Sequence, residues 1–210
     1  MTVGSGDVAV VETPRRRGIS RHGLIEVVET LVLTAVIFFI VHTFVAQPFR
    51  VEQGSMETTL LPDQYVLVDK LTPRWAPYER GDIVVFDPPD SFRGESDAPY
   101  IKRVIGLPGD RVDLQDGHVL VNGYQIDEPY IFRRSDGEAN PTRPTDGTES
   151  WVVPLGELFV LGDHRAVSAD SRDFGSIQIS HVLGRAVLRY WPIDAFGTID
   201  RPAYPGVPPA

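Results

Sequence analysis

The chain divides by its hydrophobic pattern into one long apolar run and a series of short alternating ones. From Thr30 to Phe49 there are 20 residues without a formal charge, TLVLTAVIFFIVHTFVAQPF. A helix of that length rises about 1.5 Å per residue and extends roughly 30 Å, the thickness of a bilayer's hydrocarbon core. The pattern therefore predicts a membrane-spanning anchor over 23–48, with Glu26 and Glu29 near the membrane surface and Pro48 at the exit. A cleaved leader is the alternative, but a cut after Ala46 would leave the bulky Phe44 where a small residue is expected. From Val51 onward the period becomes that of strands. Tyr65–Asp69, Asp82–Phe86, Tyr100–Ile105, Glu157–Leu161 and Val182–Trp191 are short, β-branched runs separated by turn signals. Val112–Val121 reads as a hairpin closed by Asp116-Gly117. The predicted fold is mainly β: a coiled antiparallel sheet or barrel behind one N-terminal transmembrane helix.

Four regions follow from this. Residues 1–22 read as a flexible tail ending in Arg15, Arg16, Arg17 and Arg21, and that cluster places the N-terminal side in the cytoplasm. The anchor occupies 23–48 and an extracytoplasmic β-rich domain 49–201, with a small hairpin and loop insertion at about 112–156. Within the insertion, 133–150 is polar and turn-rich and should be exposed. The proline-rich end, 202–210, cannot sustain sheet pairing and is expected to be disordered.

Composition narrows the chemistry. The 210 residues carry 29 acidic and 20 basic side chains, a net charge of −9, and no cysteine. Cysteine nucleophiles, thiolate metal sites and disulfides are excluded. The acidic balance argues against nucleic-acid binding, which needs a basic surface. Only Lys70 and Lys102 are lysines; the other 18 basic residues are arginine. A coding bias toward arginine explains the ratio but not Lys102, which stands beside Arg103 in Tyr100-Ile-Lys-Arg-Val-Ile-Gly106. Alternation puts Lys102 with Val104 and Gly106 on one face and Arg103 with Ile101 and Ile105 on the other. A desolvated lysine can lose its proton near neutral pH and serve as a base, whereas arginine cannot. The plain alternative is a solvent-facing lysine on an edge strand.

A base needs a nucleophile, and Ser55 in Gly54-Ser-Met-Glu-Thr-Thr-Leu60 lies just beyond the membrane exit, with Gly54 permitting a close approach or a positive φ. The third polar stretch, Gly162–Gly175, interleaves Asp163, Asp170 and Asp173 with Arg165 and Arg172, so its carboxylates are neutralised internally and a metal site is disfavoured. Asp163 and His164 do not suit a Ser/His/Asp triad, because adjacent residues on an extended chain point apart.

Together with Arg80-Gly-Asp-Ile-Val-Val-Phe86, these stretches resemble, in order, the boxes of the type I signal peptidase family, the membrane-anchored Ser/Lys proteases of bacteria; the resemblance runs from Gln47 to Gly175. It implies a serine endopeptidase that removes signal peptides from secreted preproteins after a small residue, at the plasma membrane, with a single-pass anchor in the lipid bilayer and no metal or organic cofactor. It implies Ser55 as nucleophile and Lys102 as general base, Ser168 orienting the lysine amine, and Asp170 with Arg172 as a supporting ion pair. The oxyanion donor is the Ser55 backbone N–H, alone or with Gln53. Phe49, Val51, Met56 and Ile101 fall where the family contacts the small side chains of its substrate. Thr58 replaces a proline common in the nucleophile box, and His164 replaces an asparagine often seen in the last box. Two rivals are a soluble self-cleaving Ser/Lys protease, against which the apolar run speaks, and a membrane-anchored β-domain that binds partners without chemistry.

Overall fold

The structure, a computed structural model, describes residues 21–93 and 98–208; residues 1–20 of the expected tail lie outside it. The chain forms two units, 1–40 and 41–210. The first holds helix α1, Arg21–Ile40, long and apolar enough to cross a membrane. Its apolar side chains are uncovered, Phe38 69% and Leu31 63% exposed. The helix gives way to a π-helical turn at Val41–Val45, and a strand begins at Ala46. The uncharged run is thus shared between helix and sheet. Its apolar length marked a span over 23–48, but such a run carries no period that separates buried strand from helix.

The described residues of the second unit form twelve strands: β1 Ala46–Arg50, β2 Tyr65–Asp69, β3 Ile83–Phe86, β4 Tyr100–Gly106, β5 Arg111–Gln115, β6 His118–Val121, β7 Tyr124–Gln125, β8 Ser150–Val152, β9 Glu157–Leu161, β10 Ile177–Gln178, β11 Val182–Trp191 and β12 Gly197–Thr198. Antiparallel pairing orders the main sheet β1-β2-β11-β3-β4-β9-β10, with β12 on β11, and a second sheet β7-β6-β5-β8. Because β4 and β9 are neighbours, the smaller sheet is an insertion between them. The one α-helix after β1 among the described residues is a single turn, α2 Ser171–Phe174.

Side-chain patterns account for this arrangement. The run Ile83-Val-Val-Phe86 is buried on both faces: Ile83 and Val85 join one core with Val51, Met56 and Leu60, whereas Val84 and Phe86 join another with Val104 and Val160. Strand β5 alternates, burying Val112 and Leu114 and exposing Arg111 and Gln115. Asp116 and Gly117 have φ of 51° and 85°, the conformation that a two-residue hairpin with right-handed twist requires. Most of 133–150 is exposed, yet Asn140 and Thr142 are buried. The C-terminal stretch is also not loose where it is described: Tyr204 and Val207 pack on the core of the small sheet, and Tyr204 hydrogen-bonds Tyr130 at 2.8 Å. Proline prevents sheet pairing there but does not prevent packing.

Candidate active site

Ser55 sits on a 3₁₀ turn, Gly54–Met56, directly after β1. The turn is pinned from both sides. Val51 N–H bonds Gln64 O at 2.8 Å, Leu60 N–H bonds Met56 O at 2.8 Å, and the side chains of Met56 and Leu60 are wholly buried in the core. Gly54 does not adopt a positive φ, and the only atoms that crowd a side chain there within 3.5 Å are those of the Glu57 carboxylate, 2.9 Å away at the end of a flexible side chain.

Lys102 extends from β4, paired in register with Val84. It is 1% exposed and Ser55 3%, and Lys102 Nζ donates to Ser55 Oγ at 2.8 Å. The Tyr100 ring covers the amine with its centroid 5.0 Å away. Burial disfavours the ammonium and lowers the Lys102 pKa to about 8, a fall reinforced by the Arg172 charge and opposed by Asp170 and Asp163. The pair is therefore a hydroxyl held against an amine that is partly neutral at physiological pH, the parts of a nucleophile and its base.

The loop after β9 closes the back of the site. Asp170 receives both Arg172 Nε at 2.8 Å and one terminal nitrogen at 2.9 Å, accepts Gly162 N–H at 3.0 Å, and caps α2. Gly162 is held so close to the nucleophile that an added Cβ would lie 2.6 Å from Ser55 O and nearer still to Ser168 Oγ. Ser168 is buried, but its Oγ has no hydrogen-bond partner among the described residues. The bond from Ser168 to Lys102 is not made here: the amine donates to Ser55 Oγ, and the Ser168 hydroxyl lies against Gly162.

A groove of about 190 Å³ opens beside the pair. Phe49, Val51 and Gln53 line it from one side, Tyr100, Ile101 and Lys102 from the other, and Val66 and Val85 form its apolar floor. Met56 is not part of this lining: it is fully buried behind Ser55. Gln53 is exposed at the rim.

Several supporting residues escaped the reading of the sequence. Arg103, 1% exposed, forms a two-point ion pair with Asp163 at 2.9 and 2.7 Å, and Thr59 Oγ1 donates to the same carboxylate at 2.5 Å. Arg165 bonds Gly162 O at 2.8 Å and reaches Thr142 and Glu128 of the insertion. A signal for the first pair was available: alternation placed Arg103 between two isoleucines, and a cation inside an apolar face requires a carboxylate. His164 does not face the nucleophile through its ring, which stacks on Phe132; only its N–H bonds Ser55 O, at 3.0 Å.

Known proteins share this arrangement of sequence. Residues 24–191 match the model of the family described as signal peptidase, peptidase S26. The signal peptidase I of Leptolyngbya laminosa is 35% identical over 182 residues, 85% of each chain. The signal peptidase IB of Staphylococcus aureus is 34% identical over 182 residues, 82% of this chain and 92% of that one. A crystal structure of a signal peptidase I from Enterococcus faecalis is 32% identical, covers 51% of this chain and 95% of its own, and has a TM-score of 0.40. With a buried serine and lysine in contact and a family match over most of its length, this chain belongs to the signal peptidase family, peptidase S26.

Proposed function

We propose that the protein is a membrane-bound serine endopeptidase that removes N-terminal signal peptides from secreted preproteins after a small residue. The observation that carries this reading is the 2.8 Å contact between Ser55 Oγ and a lysine amine whose pKa is about 8. Neutral Lys102 takes the Ser55 proton as Oγ attacks the scissile carbonyl, and the ammonium then returns the proton to the leaving amine. Lys102 next deprotonates a water that attacks the ester, the carbonyl–Oγ bond breaks, and the proton returns to Ser55. The Ser55 N–H, alone or with the Gln53 amide from the groove rim, receives the developing oxyanion. Ser168 is the buried hydroxyl open to the amine once Ser55 has been acylated, and Asp170 with Arg172 holds the loop that carries it.

The substrate has two strand edges to use. Strand β4 pairs with β9 only from Arg103 onward, and β1 pairs with β2 alone, so Tyr100–Lys102 and β1 each leave a free edge beside the groove. An extended peptide adds to such edges by backbone bonds, and alternate side chains enter the apolar floor between Phe49, Val51 and Ile101. The narrow volume favours small side chains. The anchor α1 lies in the bilayer with the arginine cluster that precedes it in the sequence on the cytoplasmic side, which leaves the catalytic domain outside. The proposed reaction takes place without a metal or organic cofactor. Purified full-length protein in detergent should cleave a preprotein, and Ser55→Ala and Lys102→Arg should each abolish cleavage without changing the thermal unfolding midpoint by more than a few degrees. Near-normal cleavage by either variant overturns the assignment.

A further inference from the structure

The insertion between β4 and β9 has no part in the catalytic steps above, yet one of its side chains reaches the back of the nucleophile's turn. Phe132 lies flat on the imidazole of His164, with ring centroids 3.8 Å apart and planes 12° from parallel. The same imidazole is 3.2 Å from Glu57 Oε2 through Nδ1. An ionised carboxylate only accepts hydrogen bonds, so the Nδ1–H donates. Glu57 is two residues after Ser55, and its own N–H closes the turn on Gly54 O at 3.1 Å. His164 thus grips the turn twice, by its N–H to Ser55 O and by its ring to Glu57. Phe132 is held in turn: its N–H donates to Asp163 O at 3.1 Å, and its carbonyl accepts Asn140 N–H at 2.9 Å. None of Glu57, Phe132 and His164 lines the groove.

We infer that Phe132, His164 and Glu57 form a positioning latch, through which the insertion sets the orientation of the Gly54–Met56 turn and hence the placement of Ser55 Oγ on Lys102. The inference rests on the Ser55–Lys102 assignment above. A single 3₁₀ turn has too few internal bonds to fix its own tilt. Met56 and Leu60 anchor it from the core side; on the polar side Glu57 joins the bond from His164 N–H to Ser55 O, with the Thr58 and Thr59 hydroxyls held further along at Tyr130 O and Asp163. An asparagine at 164, the residue the family resemblance leads one to expect, has an amide to offer Glu57 but no ring to stack on Phe132. The histidine adds a ring stack to the other contacts of the insertion with this region, Phe132 N–H to Asp163 O and Thr58 Oγ1 to Tyr130 O.

The test uses the full chain in detergent and a synthetic signal-peptide substrate. Phe132→Leu, which keeps an apolar side chain but loses the stack, should lower kcat roughly tenfold with KM unchanged, as a small displacement of the nucleophile does. His164→Asn should fall by a similar factor, and Phe132→Tyr should restore the wild-type rate. The double variant Phe132→Leu/His164→Asn should lose no more than either single one, because both break the same contact. Wild-type kcat in Phe132→Leu, additive losses, or a loss that tracks a lowered unfolding midpoint would each overturn the latch. If Ser55→Ala is inactive while the latch variants run at the wild-type rate, the latch alone fails. If Ser55→Ala still cleaves, the underlying assignment fails and the latch with it.

Discussion

Lys102 is held in the fold as a group whose charged form is disfavoured. Burial lowers its pKa from 10.5 to about 8, so roughly a tenth of the molecules carry the neutral amine at pH 7. On the proposed mechanism kcat/KM should rise about tenfold per pH unit below 8 and level off above it. A rate independent of pH across that limb would remove Lys102 as the base. The same shift has a consequence for stability. Below pH 8 both folded and unfolded chains hold the proton, and the fold bears the whole penalty, about 3 kcal/mol. Between pH 8 and 10.5 the unfolded chain binds more protons than the folded one, so this contribution to stability rises with pH; above 10.5 the penalty is gone. Lys102→Met should therefore be inactive yet more stable than wild type at pH 7, less whatever the lost bond to Ser55 contributes. The difference between their unfolding midpoints should shrink as pH approaches 10.5.

At the scale of elements, β4 is the strand on which the site turns, because it is buried on both faces and presents its two cations in opposite directions. Lys102 meets Ser55; Arg103 meets Asp163, with its guanidinium 3.9 Å from the Tyr130 ring centre and one nitrogen donating to Gly81 O at 2.9 Å. This pair joins β4 to the loop after β9 and, through Thr59, to the segment following the nucleophile. Asp163→Asn would leave a buried guanidinium without its counter-charge, a change that costs about 3–5 kcal/mol. Urea unfolding of the variant should show that loss, and cleavage should fall with it. An unchanged midpoint would mean that the pair is not what holds these elements together. The strands themselves were legible in the sequence, since alternating and β-branched runs separated by turn signals such as Asp116-Gly117 map onto β2 to β6, β9 and β11. The pairing of Ser55 with Lys102 was implied by the family resemblance, and the lysine kept beside Arg103 was the one compositional signal that agreed with it. That Arg103 needs a carboxylate was legible from its apolar face, but which carboxylate pairs with it or with Arg165 was not, since Asp163 and Glu128 lie far along the chain and nothing local records the pairing. The join between helix and strand at Ala46 was hidden by a run of residues equally suited to lipid and to a sheet.

At the scale of the whole catalytic unit, the proline-rich end carries more than its composition suggests. Its prolines remove ladder hydrogen bonds, which argues for a loose tail, but they also hold the backbone extended, and an extended segment can lie along a surface at little entropic cost. Tyr204 does so: its hydroxyl meets that of Tyr130, whose ring covers Arg103, and Val207 adds to the same core. The end of the chain is thus linked through two tyrosines to the strand that bears Lys102. Burial raises the Tyr204 pKa to about 12 from 10 and that of Tyr130 well above 10, so both remain neutral in the fold where they would begin to ionise when unfolded. The Tyr204 contribution is complete below pH 10 and is lost as pH rises toward 12. Ending the chain after Pro202 removes one aromatic side chain and one valine from partial burial, together with the tyrosine hydrogen bond. That should lower stability by about 2 kcal/mol at neutral pH, or the unfolding midpoint by roughly 5 °C. Cleavage at temperatures well below the midpoint should be kept, since no removed residue lines the groove. A truncated chain that unfolds at the wild-type temperature would show that Tyr204 and Val207 rest on the core without stabilising it.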